Sequence, residues 1–290
     1  THVTTSRPVA GLRRQQRGKG ERVSVAARSG NRARNSAPMT VVARFGLSAR
    51  AFVYLVVGVL VIALAFGHKR SETDQRGAMQ TIAAQSGGAV LILLVALGLA
   101  AYAVWRFAEA AFGVAGEGKK TGPRLQSLAR GLVYTALAFS AFSVFAGRNQ
   151  SQAAQNRELS ARVMTHAGGR FLVGAVGVVV AVIGVVLVVQ GVQRSFEKYL
   201  RLGGLSEATR KAVITLGVVG TVARGAVVAL VGILIVDAAV RFDPNKASGI
   251  DAAVRTVGEQ PLGRVLLVLT GAGLVAFGIY GLAEARWRIT

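Results

Sequence analysis

Three arginines stand at the thresholds of apolar runs, where a lipid bilayer tolerates charge poorly: Arg50 in "GLSARAFVY", Arg130 in "QSLARGLVY" and Arg224 in "GTVARGAVV". A guanidinium group stays protonated and presents a planar fork of N–H donors that fits a carboxylate or a phosphate. In a membrane helix a charge costs about 2.5–3.5 kcal/mol at the centre and less towards the ends, so each arginine needs an acceptor. A glycine opens the next apolar run at Gly88, Gly169 and Gly263, and 21 residues beyond each stand Glu109, Gln190 and Glu284. The first run of each pair starts on the side where the second ends. Arg50 is thus level with Glu109, and Arg224 with Glu284. Arg130 faces Gln190, which accepts a hydrogen bond but carries no charge. Such pairs have two chemical uses. They clamp a helical hairpin through bidentate Arg–carboxylate bonds, or they ring a central axis as a gate or an anion site. The clamp is the simpler expectation.

A membrane span takes about 20 mainly apolar residues, and six segments qualify: 44–67, 88–112, 125–147, 170–193, 213–240 and 262–285. Of the 290 residues, 52% are hydrophobic and only 17% charged, yet the formal net charge is +22. Apolar bulk with this basicity fits a membrane protein with cationic loops. It does not fit a nucleic-acid-binding domain, where basic residues share a surface with stacking aromatics; here the aromatics lie mostly inside the apolar runs. Of the 35 Lys and Arg, 24 fall on the side of the N-terminal segment and 11 on the other, counting the threshold arginines. The positive-inside rule then puts both termini in the cytoplasm of a bacterial inner membrane. Residues 1–40 carry nine basic residues and one acid, Glu21. That composition predicts a disordered cytoplasmic tail, suited to anionic lipid or to a subunit of a larger membrane complex. The first apolar run, from Val41, is long enough to span and does not read as a cleaved signal.

The arginine and glycine offsets define an internal repeat: 43–113, 125–200 and 213–288. Between the two spans of each repeat lies a short segment, "AMQTIAAQSGG" (78–88), "SARVMTHAGG" (160–169) or "AAVRTVGEQPLG" (252–263). Apolar residues recur there at helical spacing, at Met79/Ile82, Leu159/Val163 and Ile250/Val254/Val257, which predicts amphipathic helices on the outer surface. Each repeat holds two spans, so all three sit the same way up. The expected architecture is all-α, with six transmembrane helices in three parallel repeats about a pseudo-threefold axis. The motifs "ARAFVY" (49–54), "ARGLVY" (129–134), "AVRTVGEQPLGR" (253–264) and "YGLAEA" (280–285) resemble the domain of unknown function family 1206, bacterial six-helix membrane proteins. The resemblance runs from about 43 to 288 and supports the architecture. It implies no chemistry.

Other polar residues add little. Asp237, near the outer end of the fifth span, is an intramembrane acid and so a functional candidate. Arg241 stands four residues on, and a local i,i+4 pair is the simpler expectation. Gly177, Gly184 and Gly191, and Gly271, Gly273, Gly278 and Gly281, read as close-packing seams. His2, His68 and His166 lack metal-ligand spacing, and His166 aligns with Gln85 and Gln260 as a polar loop position. There is no cysteine and no catalytic constellation, so no metal, cofactor or enzymatic activity is expected. The first reading is a non-enzymatic scaffold or accessory subunit that contacts a larger membrane complex or anionic lipid through its basic tail. The alternative is a carrier or channel for a small solute, with anions among the candidates, through a central pseudo-threefold cavity.

Overall fold

In a computed structural model the chain is described over residues 37–67, 74–114, 120–148, 151–166, 168–247 and 249–289. His2, His68 and nearly all of the basic tail lie outside these. Nine α-helices are described: α1 (Ala37–Ala65), α2 (Gln75–Ala83), α3 (Gly88–Phe112), α4 (Thr121–Phe145), α5 (Gln152–Met164), α6 (Gly169–Val192), α7 (Glu207–Arg241), α8 (Ile250–Gly258) and α9 (Gly263–Trp287). Six of them, α1, α3, α4, α6, α7 and α9, are long and apolar enough to cross a membrane. The protein is an all-α membrane protein of three two-span repeats. We call the end where α1 begins and α9 finishes basal, and the opposite end distal. Residues 37–40, expected in the tail, are instead the first turn of α1; Pro38 belongs naturally there, because a first helical turn needs no donor from its N–H.

The repeat-opening glycine has a steric cause. In each repeat the short distal helix ends in a turn closed by a backbone hydrogen bond, Gly88 N–H to Gln85 O at 2.7 Å, Gly169 to His166 at 2.9 Å and Gly263 to Gln260 at 2.8 Å. The next helix therefore starts hard against the one it follows. A Cβ on Gly169 would lie 1.7 Å from the Val163 carbonyl oxygen, and one on Gly88 2.3 Å from that of Ile82. The residue that precedes the glycine by three caps its own helix in two of the copies. His166 Nδ1 lies 2.8 Å from Arg162 O, and Gln260 Nε2 donates to Thr256 O at 3.3 Å. That is the polar loop position at which histidine and glutamine interchange.

The amphipathic helices are not equivalent. Met79 and Ile82 of α2, and Val254 of α8, are buried against the spans. In α5 the expected stripe fails: Leu159 is exposed, and the buried residues are Ala153 and Met164. The α5 helix packs on α6 and on the 3-10 turn Pro244–Ala247 rather than over the middle of the bundle.

Around the bundle the spans run α1, α3, α4, α6, α7, α9 and back to α1. The most extensive contacts join neighbouring repeats: α6 with α7, α9 with α1 and α3 with α4. Two of these seams are glycine-lined. A Cβ on Gly184 would meet the Ala229 backbone nitrogen at 2.2 Å, and one on Gly58 the Gly271 carbonyl oxygen at 2.8 Å. Without a hydrophobic drive between helices in lipid, such backbone approach supplies the dispersion that holds them together. Within repeats, α1 packs on α3 and α7 on α9. The two spans of the second repeat, α4 and α6, make no substantial contact. The ring is open at that one position.

Candidate anion site at the basal end

The α1–α3 and α9–α1 packing brings six polar side chains together at the basal end. Arg50 of α1 donates through Nη2 to Glu284 Oε2 at 2.5 Å and through Nη1 to the Tyr102 hydroxyl oxygen at 3.1 Å. Arg106, one turn beyond Tyr102 on α3, donates to the same hydroxyl and to Glu109 Oε2, each at 2.6 Å. Arg288, one turn beyond Glu284, donates to Glu284 Oε1, and its other terminal nitrogen lies 3.8 Å from Glu109 Oε1. The circuit closes: Arg50, Glu284, Arg288, Glu109, Arg106, Tyr102 and back to Arg50. Ser127 of α4 adds a hydrogen bond to Glu109 Oε2 at 3.0 Å. Three helices and the start of a fourth are tied by groups that are all at least nine-tenths buried.

The expected in-repeat clamps do not form. Arg50 pairs with Glu284 of the third repeat rather than with Glu109, and Glu109 is held by Arg106 and Arg288. The reason is the packing order. Neighbouring repeats touch over a greater length than the two spans of one repeat, so the acid nearest Arg50 is on α9. Arg224 does not reach Glu284. Its guanidinium carbon sits 5.0 Å from the centre of the Phe277 ring and 5.5 Å from that of Tyr54, stacked on aromatic faces instead of paired with an acid. Arg130 and Gln190 are not bonded to each other. At the distal end Arg241 Nε donates to Asp237 Oδ1 at 2.6 Å, and Lys246 Nζ to Asp237 Oδ2, so that acid is locally neutralised and remote from the basal cluster.

Above the circuit lies a cavity of about 330 Å³, bordered by all six spans and lined by Arg50, Arg106, Arg130, Arg224 and Arg288. Gln190 and Glu284 line it too, with the neutral donors Gln126, Ser127, Gln193 and Thr221. The segment 195–199 lies across its basal side. That segment is held by an antiparallel bridge between Leu200 and Arg288, with Arg201 N–H on Trp287 O at 2.8 Å and Ile289 N–H on Tyr199 O at 2.9 Å.

The charges do not balance. Five guanidinium groups line the cavity, and two carboxylates, Glu109 and Glu284, are bound to them. Among the described residues no carboxylate forms an ion pair with Arg130 or Arg224. The Nε atoms of Arg50, Arg106, Arg224 and Arg288 are buried without a hydrogen-bond partner. Unpaired buried donors and uncompensated charge in a low-dielectric place are costly. A bound oxyanion, which accepts several N–H bonds at once, is a chemical group that would compensate the charge. No group of three metal-ligating side chains is found among the described residues.

Arg106, Arg288, Tyr102 and Ser127 were not among the sequence candidates. The signal was present: "YAVWRFAE" spaces Tyr102, Arg106 and Glu109 at i, i+4 and i+7, and Arg288 follows Glu284 at i+4. Repeat alignment hid it, because Arg106 corresponds to Leu187 and Gly281 in the other copies.

Comparison with known proteins agrees with this architecture. The family model described as Domain of Unknown Function (DUF1206) matches residues 45–113, 125–194 and 219–288, one match per repeat. An uncharacterized protein of Bacillus subtilis (strain 168), YxxB, is 26% identical over 248 residues, covering 84% of this chain and 90% of its own. No solved structure matches the chain.

Glu284 is the shared acceptor of Arg50 and Arg288. Its replacement, Glu284→Gln, strands two buried guanidinium groups and is expected to cost about 3 kcal/mol or more. Asp237→Asn, at a solvent-open pair, should leave stability essentially unchanged. Thermal unfolding of the two variants in detergent, followed by circular dichroism, checks this. Equal midpoints would show that the circuit does not hold the helices.

Proposed function

We propose that this chain, which belongs to the Domain of Unknown Function (DUF1206) family, is a non-enzymatic membrane protein that binds a small oxyanion in its basal cavity, as the binding station of a carrier or channel. One observation carries the reading: five guanidinium groups around a cavity against two carboxylates, with no carboxylate among the described residues paired with Arg130 or Arg224. A second supports movement. The face of α4 that bears Gln126 and Arg130 continues at helical spacing through Val133, Leu137 and Ser140. These three border a distal cavity of about 500 Å³ that also holds Arg76 and Arg148. One helical face thus links two cation-lined cavities. Inorganic phosphate is the first probe. It should raise the unfolding midpoint of the purified protein, as a ligand of the native state does. Arg130→Gln should weaken that binding about tenfold, the loss of one charged hydrogen bond, and lower phosphate uptake into proteoliposomes in parallel. Binding that ignores Arg130→Gln and Arg224→Gln alike would overturn the site, and binding without uptake would overturn the transport role.

The accessory-subunit reading rests on a different observation, the nine basic residues against one acid in residues 1–40. With the basal end in the cytoplasm, that segment meets the anionic leaflet, where each basic residue contributes about 1 kcal/mol. The absence of native cysteine makes Ser6→Cys a clean reporter. An impermeant thiol reagent should leave it unlabelled in intact cells and label it in inverted vesicles. In nanodiscs the labelling should slow when phosphatidylglycerol replaces phosphatidylcholine. Labelling from outside would refute the orientation, and insensitivity to lipid would refute the docking.

A further inference from the structure

We propose that the anion at the basal cavity is borne by a lipid: the phosphate of an anionic phospholipid enters sideways through the gap between α4 and α6, leaving its acyl chains in that gap. This rests on the anion-binding reading above and specifies its ligand.

The argument begins with the one break in the ring. Each of the other five neighbouring pairs of spans is packed, whereas α4 and α6 are not. Each packs on one side only. The buried residues of α4 lie on one stripe towards α3, where Gly131 meets the ring of Phe107 and Tyr134 stacks edge-on to Tyr102 at 4.4 Å. Those of α6 form the glycine stripe against α7. The two helices nevertheless border the same cavity, α4 with Arg130 and α6 with Gln190. The cavity is therefore walled by two helices that do not close on each other.

Both helices change character along the face that borders the gap. On α6 the face that carries Gln190 and Gln193 continues towards the middle of the span through Val186, Ile183 and Val179, which are 44%, 49% and 58% exposed. On α4 the face that carries Arg130 continues through Val133, 56% exposed, and Leu137. Polar and cationic groups thus lie at the basal, interfacial depth, with accessible aliphatic walls directly beneath them. That is the profile of a phospholipid, with its charged phosphate at the interface and its hydrocarbon below. A free inorganic anion makes use of the charge but not of the walls. A helix from another protein would fill the walls but would not satisfy Arg130 and Arg224 unless it brought an acid to the same depth. Zwitterionic lipid brings its own ammonium group into a cavity that already holds an excess of cations, so an anionic headgroup is favoured.

The test uses the full chain, purified in detergent and reconstituted into nanodiscs with equal amounts of phosphatidylglycerol and phosphatidylcholine. Native mass spectrometry then counts retained lipids, while inorganic phosphate and glycerol 3-phosphate serve as soluble probes of the same site. Retention of phosphatidylglycerol should exceed that of phosphatidylcholine about tenfold, because the choline cation of the latter is repelled by the cationic excess that surrounds the shared phosphate site. Arg130→Gln with Arg224→Gln should abolish the preference, and Arg130→Lys should keep part of it. Val186→Trp adds bulk to an exposed wall without touching a packed seam. It should reduce lipid retention while leaving the binding of soluble phosphate unchanged. Binding of soluble phosphate with no preference between lipids would overturn the lipid assignment and leave the anion site standing. Failure of both to bind would overturn both. A phosphatidylglycerol preference that survives the double arginine variant would locate the lipid elsewhere and refute this site.

Discussion

Two buried carboxylates hold three guanidinium groups and one phenol in a closed circuit, and the basal half of the protein is organised by that circuit. An arginine is not discharged by burial as a lysine or a histidine is; it must be compensated in place. Glu284 and Glu109 do so for Arg50, Arg106 and Arg288, drawing α1, α3 and α9 to a fixed relation. Because these bonds cross from one repeat to the next, the circuit joins the first and third repeats, and the second attaches to it through Ser127 on Glu109, Tyr134 against Tyr102 and the Leu200–Arg288 bridge. To the lining of the cavity the second repeat contributes Arg130 and Lys198 but no acid. By the cross-repeat rule that pairs Arg50 with Glu284, the counterpart acceptor for Arg224 across the α6–α7 seam is Gln190, which carries no charge, and the counterpart for Arg130, Glu109, is held by Arg106 and Arg288.

The gap between α4 and α6 follows the same logic. In the first and third repeats an acid at the end of the second span meets a basic group and anchors that end. Gln190 has no such anchor, and α6 instead commits its glycine stripe to α7. The outcome is a helix bound firmly on one side and open on the other. Symmetry in the sequence thus produces a ring with five closed seams and one open one. The open seam falls where the unpaired charge is.

Much of this was legible in the sequence. Six spans, three repeats and the short distal helices follow from hydropathy and from the spacing of Arg50, Arg130 and Arg224 with their glycines. The glycine at 88, 169 and 263 was visible as a marker, though its cause, a turn in which the helix start abuts the preceding carbonyls, needs coordinates. The pairing was not legible. Equal depth within a repeat is a statement about height in the membrane, whereas partner choice depends on which helices adjoin laterally, and hydropathy carries no lateral information. Arg50 is level with both Glu109 and Glu284, and only the close α1–α9 seam decides between them. Leu159 misled for a related reason: helical spacing identifies a stripe but not whether a neighbour exists to cover it. Arg106 was overlooked because repeat comparison favours what the copies share, and Arg106 belongs to one copy only.

The central claim is that the cationic excess at Arg130 and Arg224 is met by an anion that the chain does not itself supply. Anomalous scattering tests it most directly, on crystals of the 290-residue chain grown with selenate and measured at the selenium edge. The account predicts a peak inside the basal cavity, within hydrogen-bond reach of the Arg130 and Arg224 guanidinium groups, that disappears in Arg130→Gln with Arg224→Gln. A cavity with no peak there, or with a carboxylate of the chain itself bonded to either arginine, would contradict it.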